Sequence, residues 1–274
     1  FFAGSVTTIS SSGLPHPSFD CAHILQHQQQ KTTEHHGIET IGHIDSQSID
    51  CHYGSLRSWR IWAIMGLVQT KDMTADNIAA VFALSTAAER QIHATWYDDA
   101  RAAALAIAGA TGLNLEHVVG VIAALSPNNR WERNLVDAEN VCRTWVADPE
   151  SAASVKVCTY GKMLEKAIKV LKTENNLDVD SIPGILNGRK ITSFYQCIMG
   201  DQDDVCVDGH AYSIWIGDRL TMKQVPNIGK KLYKTITDDY IQATHIINAR
   251  YQLNLKPYQV QSITWNAWKR IHGV

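Results

Sequence analysis

Residues 181–215 have the sequence SIPGILNGRKITSFYQCIMGDQDDVCVDGHAYSIW, and this stretch is the most informative part of the chain. It opens on a turn rich in Gly and Pro, continues into a segment with early basic residues, crosses a polar loop and ends on Val-Asp-x-His. Gly184 and Gly188 can take positive φ, which lets a backbone approach a ligand closely. A helix N-terminus beside such a turn attracts anions, and Arg189 and Lys190 add positive charge. This half of the stretch is compatible with a phosphate-binding hairpin, but by itself it favours an ordinary turn, because Gly/Asn-rich turns commonly join helices.

Asp208, in the second half of the stretch, has two interpretations. It follows a short apolar run and precedes a new helical segment, and Asp is a common N-cap at such a position. A carboxylate held at the same place can also stabilise positive charge that develops on a reacting ligand. The residues around Asp208 leave both roles open.

The composition of the whole chain excludes some classes of protein. Its 274 residues are enough for one large or two small domains, and no window approaches eighteen consecutive apolar residues, so we expect no membrane span. The net charge of −2 gives no general attraction to nucleic acid, so any DNA affinity must come from local Lys and Arg side chains. Six cysteines without a CxxC pair favour reduced thiols in a cytosolic protein.

Residues 1–64 differ from the rest of the chain. They hold seven of the twelve histidines and a Gln-rich tract, they lack helical periodicity, and the first Met is Met65. We predict a poorly ordered extension, or sequence upstream of the real start. His35, His36 and His43 lack partners at fixed helical spacing, so no metal site is predicted there.

Residues 65–274 are predicted to form an all-α domain of eight to ten helices. Thr86-x-x-Glu89 is a capping box that starts an Ala-rich helix ending near Gly109–Gly112, and Asn114 can cap a second helix that is apolar on nearly every side. No sustained alternation of apolar and polar residues indicates a sheet. Further helices are predicted at 130–146, at 161–172 and after Pro257.

The order of features in residues 181–215 resembles the helix-hairpin-helix DNA glycosylase superfamily, in its endonuclease III-like group. In that family the hairpin binds the DNA backbone, an early Lys is the nucleophile of the bifunctional members, and the Asp of Val-Asp-x-His is essential. Lys190 and Asp208 match these two residues and are eighteen positions apart. The resemblance implies that Asp208 and Lys190 are the catalytic residues.

A second match lies upstream, in VVGVIAALSPNNRWERNLVDAENV, residues 118–141. It is similar to the family's early signature, a buried helix that ends in Leu-Ser, a short polar turn and another helix. In the family this turn carries a side chain that enters the duplex where the target base leaves the stack. The resemblance implies this role for Asn128 or Asn129.

Three departures indicate a divergent member, of a phage type. The segment IPGILNGRK has two residues more than the family's usual hairpin, and Ser213 stands where an Arg is usual. No cysteine follows Cys206, so the iron–sulfur cluster of many relatives cannot form and no cofactor is predicted. A monovalent cation at the hairpin is compatible with the resemblance.

The resemblance implies two further groups of residues around the catalytic pair. The DNA-binding group comprises Gly184, Asn187, Gly188, Arg189, Asn128, Asn129, Arg130 and His210. The group expected to line a pocket for the flipped base comprises Trp131, Tyr195, Tyr212, Trp215, Gln261 and Trp265. Each aromatic member of the second group is also a candidate for the core.

The function implied by the resemblance is base excision from DNA. We expect a two-lobed N-glycosylase, with AP-lyase activity if Lys190 attacks C1′, that acts as a cytoplasmic monomer on a damaged or modified base in double-stranded DNA of a bacterial or phage-infected cell. One alternative keeps the fold but acts in thymine hypermodification, as in the alpha-glutamyl/putrescinyl thymine pyrophosphorylase group. Another is a non-catalytic DNA-binding module in which Asp208 is only a cap.

Overall fold

The computed structural model describes residues 74–173, 181–201 and 203–273, and these are helical with no strand in those ranges. The all-α prediction is thereby confirmed, with eleven α-helices in the described residues where eight to ten were expected. The predictions for residues 1–64, including the three histidines, lie outside the described residues. The helices are α1 Ala75–Ala83, α2 Ala87–Ala94, α3 Trp96–Thr111, α4 Leu115–Leu125, α5 Trp131–Ala147, α6 Gly161–Leu171, α7 Ser181–Leu186, α8 Arg189–Met199, α9 Gly209–Ile216, α10 Lys230–Tyr251 and α11 Pro257–His272, with a 3-10 turn at Ser151–Ser154.

The Ala-rich segment forms two helices, where the sequence predicted one. The capping box is present, with the Thr86 N–H donating to the Glu89 carboxylate at 2.7 Å and the Glu89 N–H donating to Thr86 Oγ1 at 3.1 Å. The break falls at Thr95, whose hydroxyl donates back to the Ile92 carbonyl at 3.2 Å and so competes with the helical backbone pattern. Gly112 ends α3 in the left-handed conformation, at φ 73°.

Two clusters of buried apolar side chains hold the helices together. The first cluster comes mainly from α3 to α8, with Cys206 and Tyr258 added from later in the chain, and it surrounds α4, of which nine residues are buried. The second cluster comes from α1, α9, α10 and α11, so it joins both ends of the described chain. Fully buried members are Ile107, Ile122, Leu135, Leu186 and Ile198 in the first cluster and Phe82, Ile214, Ile236, Tyr240 and Ile263 in the second.

Helix α4 approaches α6 and α7 closely at Gly120. A Cβ built on Gly120 would lie 2.7 Å from Val170 Cγ1 and 3.1 Å from Ile182 Cγ2. Val170 and Ile182 are themselves fully buried, so neither side chain has room to move aside. Glycine at this position therefore sets the distance between α4 and its neighbours.

The C-terminal helix is tied to the start of the described chain by Arg270. Its Nε donates to Glu89 at 2.5 Å and its Nη2 donates to the Leu84 carbonyl at 2.9 Å. Burial opposes ionisation of Glu89, but hydrogen bonds from Arg270 and Thr86 outweigh it and lower the pKa of the Glu89 carboxyl below its ordinary value of 4.5. The ion pair and the capping box thus share one carboxylate.

No single helix in the described part of the chain has both the length and the apolar character needed to cross a membrane. One pair of segments, Ala87–Thr111 and Leu115–Leu125, reaches that length and composition together, but it is bent by 119°.

Replacing Gly120 by Ala is expected to lower the free energy of unfolding by about 1–2 kcal/mol, because the clash with Val170 exceeds the gain in helix propensity. Gly109 provides the matched control, since it is exposed on α3 and a Cβ there meets no atom within 4 Å. Gly109→Ala is expected to raise the free energy of unfolding by about 0.5–1 kcal/mol. Urea denaturation followed by circular dichroism measures both, and equal effects of the two substitutions would contradict the close approach at Gly120.

Glu89→Gln is expected to cost about 1 kcal/mol or less at pH 7, because it removes the charge while keeping an acceptor for Thr86. A carboxyl with a lowered pKa stabilises the fold above its unfolded-state pKa, and this contribution is lost as the pH falls through the folded-state pKa. The difference in stability between the wild type and Glu89→Gln should therefore reach its full value above about pH 5 and disappear as the pH falls below 4.5. Thermal unfolding from pH 3 to pH 7 tests this, and a difference independent of pH would disprove it.

Candidate functional site

The hairpin between α7 and α8 consists of Asn187 and Gly188. Asn187 adopts the left-handed conformation, at φ 40°, whereas Gly188 is extended at φ −162° and Gly184 lies inside α7. The expectation of positive φ at the two glycines is therefore wrong. The physical reason is that α7 continues through Gly184 and the chain reverses at Asn187, a residue type that tolerates the left-handed region.

Lys166 fixes the hairpin to α6. Its ammonium group donates a hydrogen bond to the Leu186 carbonyl at the C-terminal end of α7. Burial lowers the pKa of Lys166, and the neighbouring charges of Lys162 and Lys169 add to this effect. Lys166 is thus a structural contact of the hairpin, while Lys162 and Lys169 remain exposed on the same helix.

Asp208 is the N-cap of α9, and its carboxylate also contacts α11. Oδ1 accepts a hydrogen bond from the Ala211 N–H at 2.8 Å, and Oδ2 accepts one from Trp265 Nε1 at 3.0 Å. The capping role considered from the sequence is therefore confirmed. The hydrogen bond from Trp265 was not predicted. It fixes the orientation of the Asp208 carboxylate, and the residue remains half-buried.

A cavity of about 220 Å³ lies beside this carboxylate. Helices α3, α5, α8 and α11 contribute to its walls, together with the turn before α5 and the segment before α9. Six of the residues predicted for the site line it, namely Lys190, Asp208, Asn129, Trp131, Gln261 and Trp265. Helix α8 after the hairpin, Asp208 and the turn before α5 therefore all contribute to the same cavity.

Aromatic rings form one wall of the cavity. The ring centroid of Trp96 lies 5.1 Å from that of Trp131 and 6.0 Å from that of Phe194, and Trp131 and Phe194 are 6.4 Å apart. The indole of Trp265 forms another part of the lining, with Lys269 Nζ 4.3 Å from its ring centroid. Such rings offer a planar group a surface on which to stack.

Three aromatic residues expected in the pocket lie outside the cavity lining. Tyr195 is buried in the first cluster. Trp215 is buried in the second cluster, where its indole N–H donates to Asp239 at 2.6 Å, and Tyr212 packs against that cluster with its ring 5.8 Å from Trp215. Their helices turn these side chains towards the core. The prediction that Tyr195, Tyr212 and Trp215 line the base pocket is therefore wrong.

The predicted DNA-binding residues differ in their exposure to solvent. Asn128 has a left-handed backbone at φ 59° and is exposed, whereas Asn129 is half-buried and donates to Asp137 at 3.1 Å. Asn187, Gly188 and Arg189 line a groove separate from the cavity. The exposed members of the group are Gly184, Asn187, Arg189, Asn128 and Arg130, and the half-buried members are Gly188, Asn129 and His210.

Asp137 organises the turn that carries these asparagines. It is fully buried, and its carboxylate accepts hydrogen bonds from Arg133 Nε at 2.7 Å and from the Cys158 N–H at 2.7 Å as well as from Asn129. One buried carboxylate therefore joins α5, the turn before it and the segment before α6. This network holds Asn129 against the cavity.

Several cavity residues were missed from the sequence, although two carry a recognisable signal. Phe194 lies four positions after Lys190, and Asn134 lies three positions after Trp131, so each shares a helix face with a predicted site residue. Trp96 carries no such signal, because it lies in an Ala-rich segment that reads as a core helix. The remaining missed residues are Tyr97, Ser126, Cys206, Ser262 and Asn266.

Cys206 lines the cavity together with the two predicted catalytic residues. Its Sγ donates to the Lys190 carbonyl at 3.6 Å, and it is buried. Burial raises the pKa of Cys206 to about 12; the positive charge of Lys190 opposes this rise, and the negative charge of Asp208 adds to it. The thiol is therefore protonated and poorly nucleophilic at neutral pH.

Comparison with known proteins gives a family but no function. The model of one protein family matches residues 63–272. The chain belongs to that family, a family of unknown function designated DUF7178. All the residues that line the cavity lie within the matched range. Neither a curated protein nor a solved structure matches the chain.

Iodoacetamide at pH 8 is expected to modify Cys158, which is exposed, much faster than Cys206. Cys142 is a matched control, because it is buried in the first cluster and burial raises its pKa to about 12 as well. Peptide mass spectrometry of the native full chain measures each rate. Modification of Cys206 as fast as that of Cys158 would contradict the described burial of the thiol.

Proposed function

We propose that the protein is a DNA glycosylase with the two-lobed helix-hairpin-helix fold, which removes a flipped base from double-stranded DNA. The main support for this proposal is that Lys190, Asp208 and Trp131 line the same cavity. These residues come from two sequence matches that are separated by about forty positions. A chance resemblance gives no reason for both matches to contribute to one cavity.

The two hydrophobic clusters support the two-lobed part of the proposal. The first cluster is built from the middle of the described chain, and the second joins α1 to α9, α10 and α11. The cavity has walls from α3 and α8 on one side and from α11 on the other. A site between two lobes is a common place for a ligand-binding cleft.

The chemistry proposed for Asp208 is stabilisation of positive charge on the sugar. Loss of a base from C1′ leaves the sugar ring with positive charge, and a fixed carboxylate beside it lowers the energy of that transition state. The N–H groups of Ala211 and Trp265 hold the carboxylate in place before the substrate arrives. No reorganisation of Asp208 is then needed during the reaction.

The chemistry proposed for Lys190 is attack on C1′. Its amine, once neutral, forms a bond to C1′ as the bond to the base breaks, and ring opening then gives a Schiff base that permits strand cleavage. Lys190 is exposed overall, yet it contributes to the cavity lining. If water attacks in its place, the enzyme is a monofunctional glycosylase and the role of Asp208 is unchanged.

The size and walls of the cavity suit a single base. Its volume of about 220 Å³ lies below the roughly 300–1,000 Å³ of pockets for drug-sized ligands. The rings of Trp96, Trp131 and Phe194 provide a stacking surface, which every base can use. Asn128, exposed on its left-handed turn, is the side chain proposed to enter the duplex in place of the flipped base.

The proposal is tested with the full chain and duplexes that carry uracil, oxidised bases or alkylated bases, followed by alkali to cleave abasic sites. Asp208→Asn is expected to lower the excision rate by about 100-fold or more. Asn can keep the N-cap hydrogen bond from the Ala211 N–H, but its NH2 group then faces the Trp265 N–H, so a loss of stability of about 1–3 kcal/mol is expected. Excision rates are therefore compared at a temperature at which thermal unfolding shows both proteins to be folded, so that the loss reports chemistry. If Asp208→Asn excises at the wild-type rate, the catalytic role of Asp208 is wrong.

Borohydride trapping tests Lys190 separately. The wild type is expected to form a covalent adduct with a cleaved duplex, Lys190→Met to lose it, and Lys162→Met, which changes an exposed lysine outside the cavity, to keep it. Base excision without any adduct removes the lyase step alone.

A lack of excision from every duplex, with turnover of a modified thymidine instead, favours the thymine-hypermodification alternative. DNA binding without either activity favours a DNA-binding module.

A further inference from the structure

Asn134 is a buried side chain in the cavity lining with an unused acceptor. It is 1 % exposed, and its Nδ2 donates to the Ile122 carbonyl at 3.0 Å. Its Oδ1 is buried and accepts no hydrogen bond from the described residues. A buried acceptor without a donor costs free energy, so Oδ1 calls for a partner, and the cavity that Asn134 lines is the space beside this residue.

The orientation of this amide is fixed by its one hydrogen bond. If the amide were rotated by half a turn, Oδ1 would face the Ile122 carbonyl oxygen, and two acceptors would repel each other. Asn266 repeats the arrangement on α11, since its Nδ2 donates to the Ser262 carbonyl at 2.9 Å and the residue also lines the cavity. Each asparagine therefore has one of its two amide N–H groups engaged, and the Asn134 oxygen is left as an unused acceptor.

We infer that Asn134 reads an N–H donor on the Watson–Crick edge of the bound base, so that the substrate class is a base that keeps such a donor. The inference rests on the proposed function only for the statement that the occupant is a base. The aromatic wall stacks on any base and discriminates little. Selection of one base over another then depends on the Asn and Gln side chains that line the cavity. Asn134 is the most buried of these.

A buried acceptor of this kind rejects a ligand that lacks the matching donor. Such a ligand leaves Oδ1 without a partner and loses its own hydration, whereas a ligand with an N–H group satisfies the oxygen. The difference is expected to reach about 10-fold in affinity, the value of one net hydrogen bond.

The test is isothermal titration calorimetry of the full chain with two pairs of free bases. Uracil is compared with N3-methyluracil, and adenine with N6,N6-dimethyladenine, since each methylated base lacks the donor of its parent. In at least one pair the parent is expected to bind about 10-fold more tightly. Asn134→Leu, of similar volume, should reduce that ratio to about 2-fold or less, because one hydrogen bond accounts for it. Asn140→Leu, an exposed change on the same helix, should leave the ratio as in the wild type.

Three results would overturn the inference. Equal binding within both pairs, or binding of no base, means that Oδ1 holds only a water molecule. An unchanged ratio in Asn134→Leu means that the added methyl groups are excluded by shape. The wild-type ratio is measured independently, so it remains decisive if Asn134→Leu does not fold.

Duplexes that carry the same bases separate this inference from the proposed function. If the protein binds the parent bases more tightly than the methylated ones through Asn134, but no duplex loses a base, the glycosylase proposal fails and the base-recognition site stands. If duplexes are cleaved at equal rates with parent and methylated bases, the glycosylase proposal stands and the role of Asn134 is overturned.

Discussion

The carboxylate of Asp208 accepts one hydrogen bond from the N-terminus of α9 and one from the indole of Trp265 on α11. These two contacts join helices that lie far apart in the sequence, and they present the same carboxylate to the cavity. The N-cap and the candidate catalytic group are therefore a single residue. A residue that serves the fold in this way is already oriented when a ligand arrives, which is the condition for electrostatic catalysis.

The other side of the cavity depends on packing around α4. Gly120 lets α6 and α7 approach α4, and Asp137 holds the turn that carries Asn129. The turn and α8, which carries Lys190, are thus fixed to the first cluster, whereas most buried residues of α11 belong to the second. The cavity lies where these two sets of helices meet, so its shape depends on how the two clusters pack together.

Features that depend on a few neighbouring residues could be predicted from the sequence, including the capping box at Thr86 and a helix end within Gly109–Gly112. The direction of single side chains within helices could not. Tyr195 was expected in the pocket, but Phe194 occupies it, because adjacent helical positions differ by about 100° and only packing decides which one faces the core. Asn134 was missed for a related reason, since a polar residue on an amphipathic helix is ordinarily assigned to solvent.

We propose that this cavity receives a base turned out of DNA beside Asp208. The most direct measurement is a crystal structure of the full-length Asp208→Asn variant bound to a duplex that carries a base the wild type excises. We expect one nucleotide outside the helix, with its base stacked against the aromatic wall that includes Trp131, its Watson–Crick edge at Asn134 and its C1′ next to residue 208. A bound duplex with every base stacked, or DNA held away from the cavity, would contradict it.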